Sequence, residues 1–197
     1  MKNALLCFLA VWSAAALFAQ EPTTFSSEPF RLKISAPQGW RLIPDAFPVA
    51  DYELNDKNLS KLAAKYKNLA IARIVKPVAG NRTISPAVQI FVVPDEGMTP
   101  KEYLSSAAAD VSTVYEEFQI TRKVTDTTLN GIKAAAIETT FITPYSGGRR
   151  FPTLSRMWAV PRDKLLFIFT VTGQPDDLKS LTKDIDLILK SIHFENE

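Results

Sequence analysis

Ser191 and His193 stand two residues apart, so on an extended strand they share a face. A hydroxyl beside an imidazole is the start of a nucleophile–base pair. A working triad also needs an orienting carboxylate and an oxyanion hole, and the chain has no G-x-S-x-G elbow to supply the setting. His193 therefore reads as an ordinary structural or surface histidine. Carboxylate chemistry has three adjacent pairs to draw on, Asp95-Glu96, Glu116-Glu117 and Asp176-Asp177. Adjacent residues on a helix do not face one another. Asp176 and Asp177 have a simpler role at the positive end of a helix. Asp184 and Asp186 diverge on the same helix, and none of these acids has the spacing of a calcium loop. One His and one Cys exclude a Cys/His metal site and a disulfide framework. The expectation is a protein without catalytic residues, metal or cofactor.

Binding chemistry is better represented. Gly147-Gly148-Arg149-Arg150 lacks the Lys-Ser/Thr of a phosphate loop and no helix follows it. Behind Tyr145, with Arg156 nearby, it reads as a basic hairpin tip. Aromatic and guanidinium groups are the types in which binding energy concentrates. Tyr145, Arg149 and Arg150 are thus the candidate partner-binding residues. Lys57, Lys61 and Lys65 form a helical stripe that reads as a solvated face, with Glu53 as a local partner, or alternatively as a contact for anionic lipid heads. Trp40 and Trp158 read as core residues in preference to pocket walls. Lys and Arg number 23 against 21 acids, a balance that argues against a nucleic-acid binder.

These residues need elements to hold them. The 197-residue chain is 46% hydrophobic and 22% charged, close to a soluble globular average. Lys2 followed by the apolar run Ala4–Phe18 and the small Ala19 has the layout of a secretory signal peptide, so the mature chain is expected to begin at Gln20. The alternative is a retained N-terminal anchor. Residues 20–29, polar with two prolines, read as a flexible tether, and 30–197 as a single domain.

Phe30, Leu32 and Ile34 alternate with polar residues as a strand. Ala36-Pro37-Gln38-Gly39 turns into a second short strand around Trp40–Leu42. A helix is expected over 56–68, strands over 69–75 and 87–93, and a helix from Pro100 to about Glu117. Thr99-Pro100-Lys101-Glu102 opens that helix with a capping box and Pro at the first position. Strands 118–129, 132–143, 153–160 and 165–172 follow as an antiparallel meander, hinged at Asn130-Gly131, Tyr145–Gly148 and Pro161–Lys164. Leu165–Val171 is apolar on both faces, so it belongs at the centre of the sheet. All seven glycines are expected in turns. A closing helix begins at Pro175 and runs toward Ile192, with a short strand at its end.

The pattern Phe30-x-Leu32-x-Ile34-x-x-Pro37-x-Gly39-Trp40, with the ending Ile188-Leu189-Lys190-Ser191-Ile192-His193-Phe194, resembles PsbP-like and DcrB-like proteins over roughly residues 28–195. The resemblance implies an α+β fold, an α/β/α sandwich with a central, mostly antiparallel sheet and helices on both faces. It also implies a non-enzymatic role. The expectation is an exported accessory or assembly-type binding protein of the cell envelope, periplasmic or extracellular. It would engage a protein partner, with no nucleic acid and no stable membrane insertion after cleavage. A small-ligand carrier with an apolar pocket and a carboxylate-based envelope hydrolase are the alternatives.

Overall fold

Strand pairing, more than helix packing, organises this molecule. The computed structural model describes residues 23–44, 69–78, 84–145 and 148–195. The leader expected over 1–19, the helix expected over 56–68 and its lysine stripe lie outside the described residues. Ten strands are described: β1 Thr23–Ser27, β2 Leu32–Ala36, β3 Arg41–Pro44, β4 Leu69–Val75, β5 Ala87–Pro94, β6 Glu116–Leu129, β7 Ile132–Tyr145, β8 Arg149–Arg162, β9 Leu165–Gly173 and β10 His193–Phe194. The helices are α1 Pro100–Val114, α2 Pro175–Ser180 and α3 Thr182–Lys190.

A seven-stranded sheet runs β3-β4-β5-β9-β8-β7-β6, and a three-stranded sheet runs β1-β2-β10. Every pairing is antiparallel. β9 sits between β5 and β8, as its two apolar faces require. Phe167 and Phe169 point to one covered face and Ile168 to the other, all three at most 4% exposed.

On the Phe167 face the small sheet and the α2–α3 pair close the larger core, with Leu32, Ile34, Trp40, Leu178, Ile185, Ile188 and Phe194 packed against β4, β5, β8 and β9. On the Ile168 face α1 inserts Leu104 and Ala108 over Val93, Ala135, Ile137, Ala159 and Leu166. This is the expected α/β/α sandwich, with a second small sheet added to one layer. α1 begins at the expected capping box: the Thr99 hydroxyl accepts from the Glu102 N–H, and the Glu102 carboxylate accepts from the Thr99 N–H at 2.7 Å.

Three expectations need correction. Residues 23–27, read as part of a flexible tether, form β1, paired along its length with β2 from Thr23↔Ala36 to Ser27↔Leu32. Polar hydroxyl residues suit an edge strand, whose outer face is wet, and Phe25 packs against the core. The closing helix is broken at Leu181 (φ −98°, ψ 12°). The Thr182 hydroxyl takes the Leu178 and Lys179 carbonyls at 3.3 and 2.9 Å and so competes with the helical ladder. Gly173 is the last residue of β9, not a turn residue. A Cβ there would lie 2.9 Å from Leu178 Cδ2 and 3.3 Å from the Pro86 Cα, so the bare glycine admits the first turn of α2 against the sheet.

Candidate functional site

The sequence candidates lie where β7 ends and β8 begins. The ladder sets Tyr145 opposite Arg149 and Pro144 opposite Arg150. Side chains alternate along a strand, so the twin arginines leave the sheet on opposite faces. Tyr145 and Arg149 lie on the side that carries α1. The Arg149 guanidinium carbon sits 4.8 Å from the Tyr145 ring centroid, within cation–π range. The Tyr145 ring meets Phe151 edge-on, 5.7 Å between centroids. Phe151 is buried while Tyr145 remains 45% exposed, so the stack stands on an anchored base with its outer edge in solvent.

Arg150 does something else. It donates to the Glu116 carboxylate and, at 3.2 Å, to Glu117. In a regular strand these two acids would face opposite ways. Glu117 has φ +55°, and the β6–β7 register shifts between Glu116 and Gln119. That bulge swings both carboxylates to one guanidinium. Arg150 therefore fastens the start of β8 to the start of β6 across β7. The structure brings Tyr145 and Arg149 together and turns Arg150 away from them.

Arg156 is not at the tip either. Its Nε donates to the Glu138 carboxylate at 2.6 Å across the β7–β8 ladder, and the Thr121 hydroxyl donates to the same carboxylate at 3.1 Å. Burial pushes the Glu138 carboxyl up. The Arg156 and Thr121 hydrogen bonds and the charges of Arg156 and Arg122 outweigh burial and hold it below the usual range. A depressed folded-state value stabilises the fold above the unfolded pKa, and that contribution fades as pH falls through the folded one. Stability should thus decline as pH drops below about 4.3, the value of an unstructured Glu. Glu138→Gln should flatten that acid limb relative to wild type in denaturant titrations. An acid limb identical in both proteins would show that the pair does not contribute.

The remaining candidates are structural. The Ser191 hydroxyl accepts from the Ser35 N–H at 2.9 Å and donates to the Ile188 carbonyl at 2.7 Å, tying the end of α3 to β2. His193 is exposed and sits opposite Lys33 in the β2–β10 ladder. Trp40 is buried, and its indole N–H donates to Asp184 at 2.8 Å. Trp158 packs partly buried against the larger core. Asp95 accepts from the Gly97 N–H at 3.0 Å, and Asp176 and Asp177 lie in the first turn of α2. Among the described residues no three His, Cys, Asp or Glu side chains converge on a point that could hold a metal.

What sequence reasoning missed is the Glu116–Arg150–Glu117 clamp. Its only sequence signal is an acidic pair at the exit of a helix, which looks the same as a solvated helix end.

The fold has known counterparts. A Pseudomonas aeruginosa protein, PA94, superimposes with a TM-score of 0.51 at 13% identity, over 89% of this chain and 99% of that one. LpqN of Mycobacterium tuberculosis, a protein involved in cell envelope biogenesis, gives 0.51 at 14% identity, over 87% and 89%. The cyanobacterial PsbP protein CyanoP from Synechocystis sp. PCC 6803 gives 0.51 at 12% identity, over 88% and 92%. No family model matches the chain, and no curated protein does. At these identities the likeness is one of fold: this chain has the PsbP-like sandwich.

Proposed function

We propose that this protein is an exported, non-catalytic accessory or assembly protein of the cell envelope, which engages a protein partner through Tyr145 and Arg149. The observation that carries the reading is the half-exposed Tyr145–Arg149 stack on buried Phe151. An aromatic and a guanidinium held in place before contact lose little freedom on binding, so more of their interaction energy appears as affinity. β7 and β8, 14 residues each, make a stiff arm behind the stack. The signal-peptide layout of residues 1–19 and the likeness to LpqN, whose role is in the cell envelope, support the location. Among the described residues no helix is long and apolar enough to cross a membrane.

The test is affinity capture from the native envelope with tagged wild type and the Tyr145→Ala/Arg149→Ala double variant. Substitution at such surface positions changes stability by about 0.5 kcal/mol or less, so the variant should melt like wild type. The variant should lose the species that the wild type captures. A variant that retains every captured species would remove the stack from the account.

A further inference from the structure

A second site lies at the far end of β8. Asn130, Ile132, Arg162, Lys190, Ile192, His193 and Phe194 line an open cavity of about 360 Å³. They come from the β6–β7 turn, the start of β7, the end of β8, the end of α3 and β10. Three of the lining residues are basic types, and none is acidic. In a chain with 23 Lys and Arg against 21 acids, that is a local departure. The described acids nearby, Glu195 and Asp163, are already engaged. Glu195 pairs with Lys33, whose hydrogen bond and charge, with a smaller contribution from the charge of His193, hold the Glu195 carboxyl below the usual range. Asp163 accepts from Arg162 Nε at 3.1 Å.

Arg162 is held in one orientation. Besides Asp163, it donates to the Glu195 backbone carbonyl at 2.6 Å, and its guanidinium lies 5.0 Å from the Phe194 ring centroid. A guanidinium has five N–H donors, so with two in use three remain for a planar or tetrahedral oxyanion. The Lys190 and His193 side chains make no hydrogen bond with any described residue, and both are exposed beside the cavity. Ile192 and Phe194 are buried beneath it and give it an apolar floor. The Asn130 side-chain amide is spent on the Leu189 and Ile192 carbonyls, so two carbonyls beside the cavity already have a donor.

We propose that this cavity binds an organic phosphate: a phosphomonoester oxyanion on Arg162, Lys190 and His193, with its apolar substituent over Ile192 and Phe194. The chemistry is the same for a soluble metabolite and for a phosphomonoester lipid headgroup, and the site is separate from the Tyr145–Arg149 stack by the length of β8.

The test uses the full folded chain and two probes, phenyl phosphate in solution and vesicles of phosphatidylcholine with or without phosphatidic acid. Calorimetry should show saturable binding of phenyl phosphate, or flotation should show binding to the phosphatidic acid vesicles alone. The first outcome assigns a soluble ligand and the second a lipid. Lys190→Gln/His193→Gln removes two of the three proposed contacts and should weaken that binding by about tenfold or more, since even one charge-assisted hydrogen bond accounts for about that factor. Lys183→Gln removes an exposed charge elsewhere on α3 and should leave binding unchanged. Neither probe binding, or equal weakening by Lys183→Gln, would overturn the proposal. Partner capture through Tyr145 and Arg149 is unaffected by either outcome.

Discussion

Phe169→Ala should cost about 3–5 kcal/mol, the usual range for truncating a fully buried phenylalanine. Total stabilities of domains lie at about 5–15 kcal/mol, so the variant loses about a fifth or more of what holds it folded. The size follows from position. Phe169 is 0% exposed, in the central strand, between Ile90 on β5 and Trp158 on β8. Its ring meets Phe194 edge-on at 6.3 Å, and Phe194 meets Phe167 at 4.8 Å, so one truncation opens a cluster that joins both sheets. No flexible neighbour stands ready to fill the gap, because the residues around it are themselves strand-bound. Urea titration of both proteins measures the difference. Phe169→Leu should lose far less, about 1–1.5 kcal/mol, since most of the volume stays. An alanine variant within about 1 kcal/mol of wild type would mean that this strand is not the centre of the core.

Asn130→Ala should cost about 2–3 kcal/mol through two separate causes. Asn130 sits at φ +51° in the β6–β7 turn, where an alanine Cβ is strained by about 1 kcal/mol or more. Its amide also donates to the Leu189 and Ile192 carbonyls, each at 2.8 Å. Each neutral hydrogen bond contributes about 1 kcal/mol net. Asn130→Gly separates the causes, because glycine accepts the turn but makes neither bond. It should recover roughly the strain and leave a deficit of about 1–2 kcal/mol. Equal losses for Ala and Gly would mean that the turn carries no strain. A Gly variant as stable as wild type would mean that the clamp on α3 adds nothing.

These two residues also mark what the sequence made legible. The run Leu165–Val171 announces a central strand because both of its faces are apolar, and Asn130-Gly131 announces a tight hairpin because its φ > 0 requirement restricts composition. The capping box at Thr99 is local in the same way. The clamp by Asn130 on the end of α3 is not legible, because its partners lie 59 and 62 residues away and are backbone atoms with no sequence signature. β1 is hidden for a similar reason. Thr23–Ser27 has no strong strand pattern of its own and is a strand because β2 offers it an edge.

The arginine pair shows a different limit. Read as a turn, Gly147-Gly148-Arg149-Arg150 presents both guanidiniums together. Once β8 starts at Arg149, the alternation of a strand divides them. The acids that claim Arg150 are set by a bulge with a non-glycine residue at positive φ, which composition does not reveal. Tyr145 and Arg149 stack together, and Arg150 is engaged by Glu116 and Glu117 on the other face.

The most direct test of the account is photocrosslinking in the native cell. A benzoylphenylalanine is introduced at Tyr145 and, as a control, at exposed Thr128 on the outer strand β6. After irradiation the envelope fraction is separated and probed for the protein. One discrete heavier species, containing a second protein, is expected from position 145 and not from position 128. The same pattern from both positions, no adduct from position 145, or a protein confined to the cytosolic fraction would contradict it.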